Sequence, residues 1–170
     1  MKPVRVALAI LVLLAAAPQR AISDSPASAW AIQEQAVDEA LVRGDLHGAL
    51  RAWRAGYGAA LRSRTWVGLI EMGDAVLRIE AEGGLPDSAR PAARRAYLEA
   101  LVRAKAERSV RGALRAGAAF DDLGDGEVAE RCVRIAEGLA RRQADPALVE
   151  EVVRAREKLT ARISSRRHPR

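Results

Sequence analysis

Residues 44–53 read GDLHGALRAW and residues 124–133 read GDGEVAERCV. Each begins Gly-Asp, places Ala five residues after the Gly, and sets a bulky apolar residue, Trp53 or Val133, four residues after that. Gly-Asp is the chemistry of a reversal between helices. Gly accepts the left-handed backbone that closes one helix, and Asp offers a carboxylate to the free N–H groups that open the next. Ala then lets two helix axes approach, and the large residue one turn later fills the space beyond. A chain that writes this unit twice is built of antiparallel helical hairpins. A hairpin of this kind cannot bury its own apolar face and stacks on a neighbour.

Helical periodicity extends over nearly everything after Trp30. It predicts helices at about 30–43, 46–62, 65–82, 88–107, 109–123, 126–142 and 146–163, with no strand pattern between them. Ala, Leu, Arg and Glu, all good helix formers, dominate the composition, and aromatic residues make up only 4% of it. The breaks have ordinary chemistry. Gly44-Asp45 and Gly124-Asp125 each end one helix and cap the next. GGLPDS at 83–88 is the longest loop, with Asp87 or Ser88 as the cap, and Asp145-Pro146 opens the last helix. Eight glycines fall in the interior of these helices, past the first residue, where each costs about 1 kcal/mol relative to Ala. Close packing of axes is the expected compensation at Gly56, Gly117 and Gly138. The fold class is all-α.

The first residues have the layout of a bacterial secretory signal peptide. Lys2 and Arg5 precede an apolar run from Val6 to Ala17, and the small-residue triplet Ala27-Ser28-Ala29 follows. Such a run rises about 18 Å as a helix, short of the roughly 30 Å hydrocarbon core, so no stable membrane span is expected. Residues 1–29 are thus read as the signal peptide, 30–163 as the folded domain and 164–170 as a disordered basic tail. Cleavage after Ala29 and export to the periplasm are expected. The formal charge of +6 does not describe the domain, because residues 30–161 carry 21 basic and 21 acidic side chains. The excess lies in the leader and in Arg162, Arg166, Arg167 and Arg170, which argues against a nucleic-acid face.

The hairpins resemble tetratricopeptide repeats. The third matches best: Gly117 stands at the family's small position in the first helix and Phe120 at its aromatic position. Gly124 and Asp125 form the turn, Ala129 is the small residue of the second helix, and Ala136 is the next small one. The first hairpin keeps Gly44, Asp45, Ala49, Trp53 and Gly56, with Val37 in place of a small residue. In the second, Ala93, Tyr97 and Ala100 fit, while the turn has grown into the GGLPDS loop. The bulky position falls at Trp53, Tyr97 and Val133, spacings of 44 and 36 residues where the family has about 34. The resemblance covers residues 30–142 and implies three stacked antiparallel hairpins. Helix 146–163 then caps the stack, turning Leu148, Val152, Val153, Leu159 and Ile163 inward and Glu150, Glu151, Arg154 and Lys158 to water. It also implies a concave groove lined by the first helix of each hairpin. The exposed candidates there are Glu34, Asp38, Asp74, Arg111, Asp121 and Asp122, a mildly acidic lining for a protein or peptide partner in the cell envelope.

Little else carries chemistry. His47, His168 and Cys132 have no metal-ligand spacing, and His47 reads as a solvated residue. The acidic turn at 121–127 fails as a calcium loop, since Leu123 occupies a ligand position and Cys132 stands where a bidentate Glu belongs. Ser63, Ser88 and Ser109 lie at helix ends without an activating base. Glu71, Glu80 and Glu82 read as a solvated face. Cys132, the single cysteine, sits among apolar residues and is expected to be buried. No catalysis and no cofactor are expected. The leading expectation is an exported interaction or assembly module. The alternatives are a compact helical bundle that binds or senses a small ligand in its core, and an envelope protein whose tail, Arg162 to Arg170, meets anionic lipid or cell-wall polymer.

Overall fold

A computed structural model describes residues 28–83 and 88–167. Seven helices account for almost all of them: α1 (Ala29–Val42), α2 (Leu46–Ser63), α3 (Val67–Ala81), α4 (Ala89–Ala106), α5 (Val110–Asp122), α6 (Gly126–Gln143) and α7 (Pro146–Arg167). Among the described residues there is no strand. Residues 1–27 of the expected signal peptide 1–29, the centre of the GGLPDS loop at 84–87 and the last three residues lie outside the described residues.

Both Gly-Asp turns form as local chemistry dictates. Gly44 and Gly124 adopt positive φ of 70° and 85°. At the first turn Gly44 N–H donates to Leu41 O and Asp45 N–H reaches back to Ala40 O, both at 2.9 Å. The second repeats this with Gly124 to Asp121 O at 2.9 Å and Asp125 to Phe120 O at 2.8 Å, so the last free carbonyls of each helix are satisfied. Asp45 then accepts from Gly48 N–H at 2.7 Å, opening α2. Asp125 does not do the same. It makes no capping bond, because its Oδ2 is taken at 2.6 Å by Arg94 of α4. A charge-assisted tertiary bond has displaced a local one.

The helices pair as α1–α2, α3–α4 and α5–α6, and each pair packs on the next through α2–α3, α4–α5 and α6–α7. The odd-numbered helices also pack on one another in succession, α1 on α3, α3 on α5 and α5 on α7. Among the described residues the even-numbered helices form no comparably packed row, so the odd helices make a packed layer of their own, the inner layer of the stack. The three bulky markers occupy successive layers of this stack. Trp53 on α2 donates its indole N–H to Met72 O of α3 at 2.8 Å. Tyr97 on α4 meets Phe120 of α5 edge-on, ring centroids 5.9 Å apart, and Val133 on α6 borders a cleft with Leu159 of α7. This is a stack of three hairpins with a seventh helix against its end.

Alanine does much of the close packing: Ala49, Ala93, Ala100, Ala113, Ala129 and Ala136 are all fully buried. Several glycines take this further by leaving room for a large side chain. Gly73 lies under the Tyr97 ring, Gly68 under Trp30 and Gly112 under Trp66, while Gly56 receives the Met72 sulfur. At Gly117 the Cβ of Cys132 comes within 3.0 Å of where a side chain would begin. Packing therefore explains Gly56 and Gly117. It does not explain Gly138, where a methyl would meet only the guanidinium of Arg142 on the same helix, 3.6 Å away.

Helix α7 departs from expectation at two points. It continues to Arg167, so residues 164–167, assigned above to a disordered tail, are helical. Ser165 Oγ donates to Arg162 O at 2.9 Å, and Arg166 reaches α5, which ties down the added turn. Val152 and Leu159 are buried as expected, with Leu148 and Ile163 partly buried beside them. Val153 is instead 48% exposed, because α7 has one row of neighbours rather than two.

Candidate functional site

The odd-helix layer brings together all six residues expected to line a groove, but it does not leave them free. Arg78 on α3 bonds Asp38 on α1 at 3.1 Å through Nε and approaches Glu34 at 3.5 Å. Arg115 on α5 bonds Asp74 on α3 at 2.8 Å, and Tyr97 O–H donates to the other oxygen of Asp74 at 2.6 Å. Burial and that bond to a carboxylate push the Tyr97 phenol far above its ordinary range. Arg162 on α7 bonds Asp121 at 2.8 Å and Asp122 at 2.9 Å, while Arg166 takes the second oxygen of Asp121 at 2.8 Å. Arg111 pairs with Glu151 of α7 at 3.4 Å.

One rule runs through these contacts. An arginine on each odd helix grips an aspartate on the odd helix before it, across sequence separations of 40, 41 and 41 residues. The acidic lining expected from sequence is thus largely spent in holding layers together. Asp121 is the clearest correction: it is 1% exposed, with both oxygens held by guanidinium groups. Sequence reading placed it on an exposed face, since the arginines that neutralise it lie on another helix. Those nearby carboxylates hold the Arg162 guanidinium pKa above its usual value. Arg162 and Arg166 are accordingly turned onto α5.

Between α3, α5 and α7 the inner layer opens into a cleft of about 420 Å³. Trp66, Val67, Leu114 and Ala155 form its apolar floor, and Glu71, Arg111, Arg115 and Glu151 form its rim. A second cleft of about 200 Å³ shares Leu114 and Ala155 with it and continues along α5 and α7 past Gly117, Ala118 and Leu159. The two make one furrow, open to solvent along its length. It exists because α5 presents Leu114 and Ala118 to α7, and the small side chain of Ala118 leaves the two helices bridged by ion pairs rather than filled by side chains.

Glu71 is the residue that sequence reading missed. Sequence alone groups it with Glu80 and Glu82 as a solvated face, yet it is half-buried on the furrow rim. Burial raises its pKa above the ordinary value, and the charges of Glu34 and Asp74 add to the effect, with Arg115 and Arg78 offsetting part of it. Helical spacing carried the missing signal. Glu71, Asp74 and Arg78 stand at i, i+3 and i+7, a single stripe of α3. Trp66 was likewise not singled out, as it precedes its helix and shows no period of its own.

His47 is exposed at the start of α2, and Cys132 is buried and free. Burial pushes the Cys132 thiol up to about 11. Among the described residues no cluster of His, Cys, Asp or Glu has the geometry of a metal site, and no helix is long and apolar enough to cross a membrane. Compared with protein-family models, with curated proteins and with solved structures, the chain matches none.

Proposed function

We propose that this protein is a non-enzymatic interaction module of the cell envelope, a tetratricopeptide-like stack that holds a polypeptide segment in the furrow of its inner layer. The observation that carries this reading is the furrow itself: an open channel between α3, α5 and α7 with Trp66, Val67, Leu114 and Ala155 along its floor. Its shape favours an extended or helical segment over an enclosed small molecule, because its clefts are continuous with solvent and run along helix axes. The ion pairs that cross the layer fix the rim without blocking the floor. A furrow lined by α3, α5 and α7 buries a modest area, so the complex is of the exchangeable kind. Export rests on the composition of the leader, and the intact mass of protein recovered from the envelope tests it directly. Retention of residues 1–29 would overturn that part of the reading.

The furrow is tested by site-specific photocrosslinking in envelope extracts. A photoreactive residue at Ala118, on the inner face, should give a discrete polypeptide adduct. The same group at Ala55, exposed on α2, should not. Equal labelling from both positions, or none from Ala118, would remove the furrow as the binding face.

A further inference from the structure

The furrow is electrically lopsided, and its two ends can be compared residue by residue. The larger cleft is lined by Glu71 and Glu151 and by Arg111 and Arg115. Both guanidiniums are committed: Arg111 lies 3.4 Å from Glu151 and Arg115 lies 2.8 Å from Asp74. Beyond its α3 rim Glu34 and Asp38 share the guanidinium of Arg78. The smaller cleft holds Asp121 with Lys158 and Arg162, so it has no acidic excess. Glu71, at the α3 end, is therefore the lining carboxylate that forms no ion pair among the described residues.

Resting on the furrow as the binding face, we infer that its Glu71 end is a subsite for a positively charged side chain of the bound polypeptide, with arginine the best fit. Two features select that chemistry. The Glu71 carboxylate lies near the charges of Glu34 and Asp74, only partly offset by Arg115 and Arg78, so an incoming cation gains from the net negative charge around it. Trp66 and Val67 line the same cleft, and an arginine stem and guanidinium plane are suited to an aromatic and aliphatic wall as well as to a carboxylate. An acidic side chain at this position would be repelled. The apolar run from Leu114 to Leu159 then receives neighbouring aliphatic residues of the same segment. The partner motif is a basic residue flanked on one side by apolar ones. A half-buried acid whose acidic surroundings are only partly offset disfavours the fold slightly, a cost that is relieved when a partner supplies a cation.

Selection of displayed random dodecapeptides on the full chain, followed by titration of the leading peptide, tests the subsite. Arginine or lysine beside apolar residues should be enriched, and changing that basic residue to glutamine should weaken binding about tenfold or more. Against Glu71→Gln, the two peptides should bind alike, at the affinity the glutamine peptide has for the native protein. Leu114→Asp should abolish binding of both. Peptides that depend on Leu114 yet show no basic preference, or a preference that survives Glu71→Gln, would overturn the subsite while leaving the furrow standing. Selected peptides indifferent to Leu114→Asp would overturn the furrow and the subsite with it. Glu71→Gln is nearly isosteric, and unchanged helical content by circular dichroism shows that the variant is folded.

Discussion

Asp121 and Arg162 lie 41 residues apart in sequence and are joined at 2.8 Å between α5 and α7. Asp74 and Arg115 stand at the same separation and the same distance between α3 and α5. The pairs are equivalent in sequence separation but not in environment. Asp74 is partly open to water, whereas Asp121 is buried and also holds Arg166. A buried carboxylate without partners carries its full desolvation cost, so the α5–α7 member of the ladder should matter most.

Replacing Arg162 and Arg166 together by Ala strands that carboxylate and should therefore destabilise the fold by about 1–3 kcal/mol, read from urea unfolding. Amide protection should fall along α7 before it falls elsewhere. The exposed Arg115–Asp74 pair predicts much less, and a double-mutant cycle there should give a coupling of about 0.2–1 kcal/mol. Equal couplings at both places would contradict the burial argument.

The two glycines with opposite surroundings predict opposite signs. Gly73→Ala would drive a methyl into the Tyr97 ring, which is held by Asp74 and Phe120 and cannot swing away. A loss of about 1–3 kcal/mol is expected. Gly138→Ala meets only a flexible guanidinium and should stabilise α6 by about 0.5–1 kcal/mol through helix propensity. Thermal melts of the two variants side by side check both.

Turns between hairpins are less well matched to their residues than turns within them. Arg64, Arg108 and Ala144 hold positive φ of 62°, 54° and 51°, where the turns within hairpins use Gly44, Gly83 and Gly124. Ala144→Gly should raise stability by about 0.5–1 kcal/mol, the strain relieved less the added freedom of the unfolded chain. A lower melting temperature would refute this.

The pH dependence of stability should carry the signature of Glu71. Its carboxyl is raised in the folded state, so the fold holds that proton to higher pH than the unfolded chain does. Its effect on stability is most favourable below the ordinary glutamate value of 4.5 and is lost as pH rises through the folded value. Glu71→Gln should match the native protein in acid and become the more stable of the two towards neutrality. A difference independent of pH would show that the carboxylate is not strained by its surroundings.

Cys132 should be inert in the native state. With its thiol buried and raised to about 11, almost none is ionised near neutral pH. A chromogenic disulfide reagent should react only as fast as the protein unfolds. Rapid labelling of native protein would indicate an accessible thiolate.

Much of the architecture was legible in the sequence because it is local. Helix periodicity, Gly at positive φ and Asp or Ser as a cap act over a few residues, and each of the seven expected helices is present within a few residues of its boundaries. The failures share one cause. Asp125 has the sequence of a cap but answers to Arg94, 31 residues away. The final turn of α7 looks soluble and structureless until Arg166 meets Asp121. Gly138 looks like Gly117, and only the neighbouring helix distinguishes them.

Local chemistry along the chain requires that it be helical, sets where it reverses, and obliges paired helices to lie against further pairs, since amphipathic period and turn chemistry require no distant partner. Tertiary structure alone decided which charges are neutralised and which remain. An ion pair depends on where two helices cross, and only that crossing separates the spent carboxylate of Asp121 from the available one of Glu71.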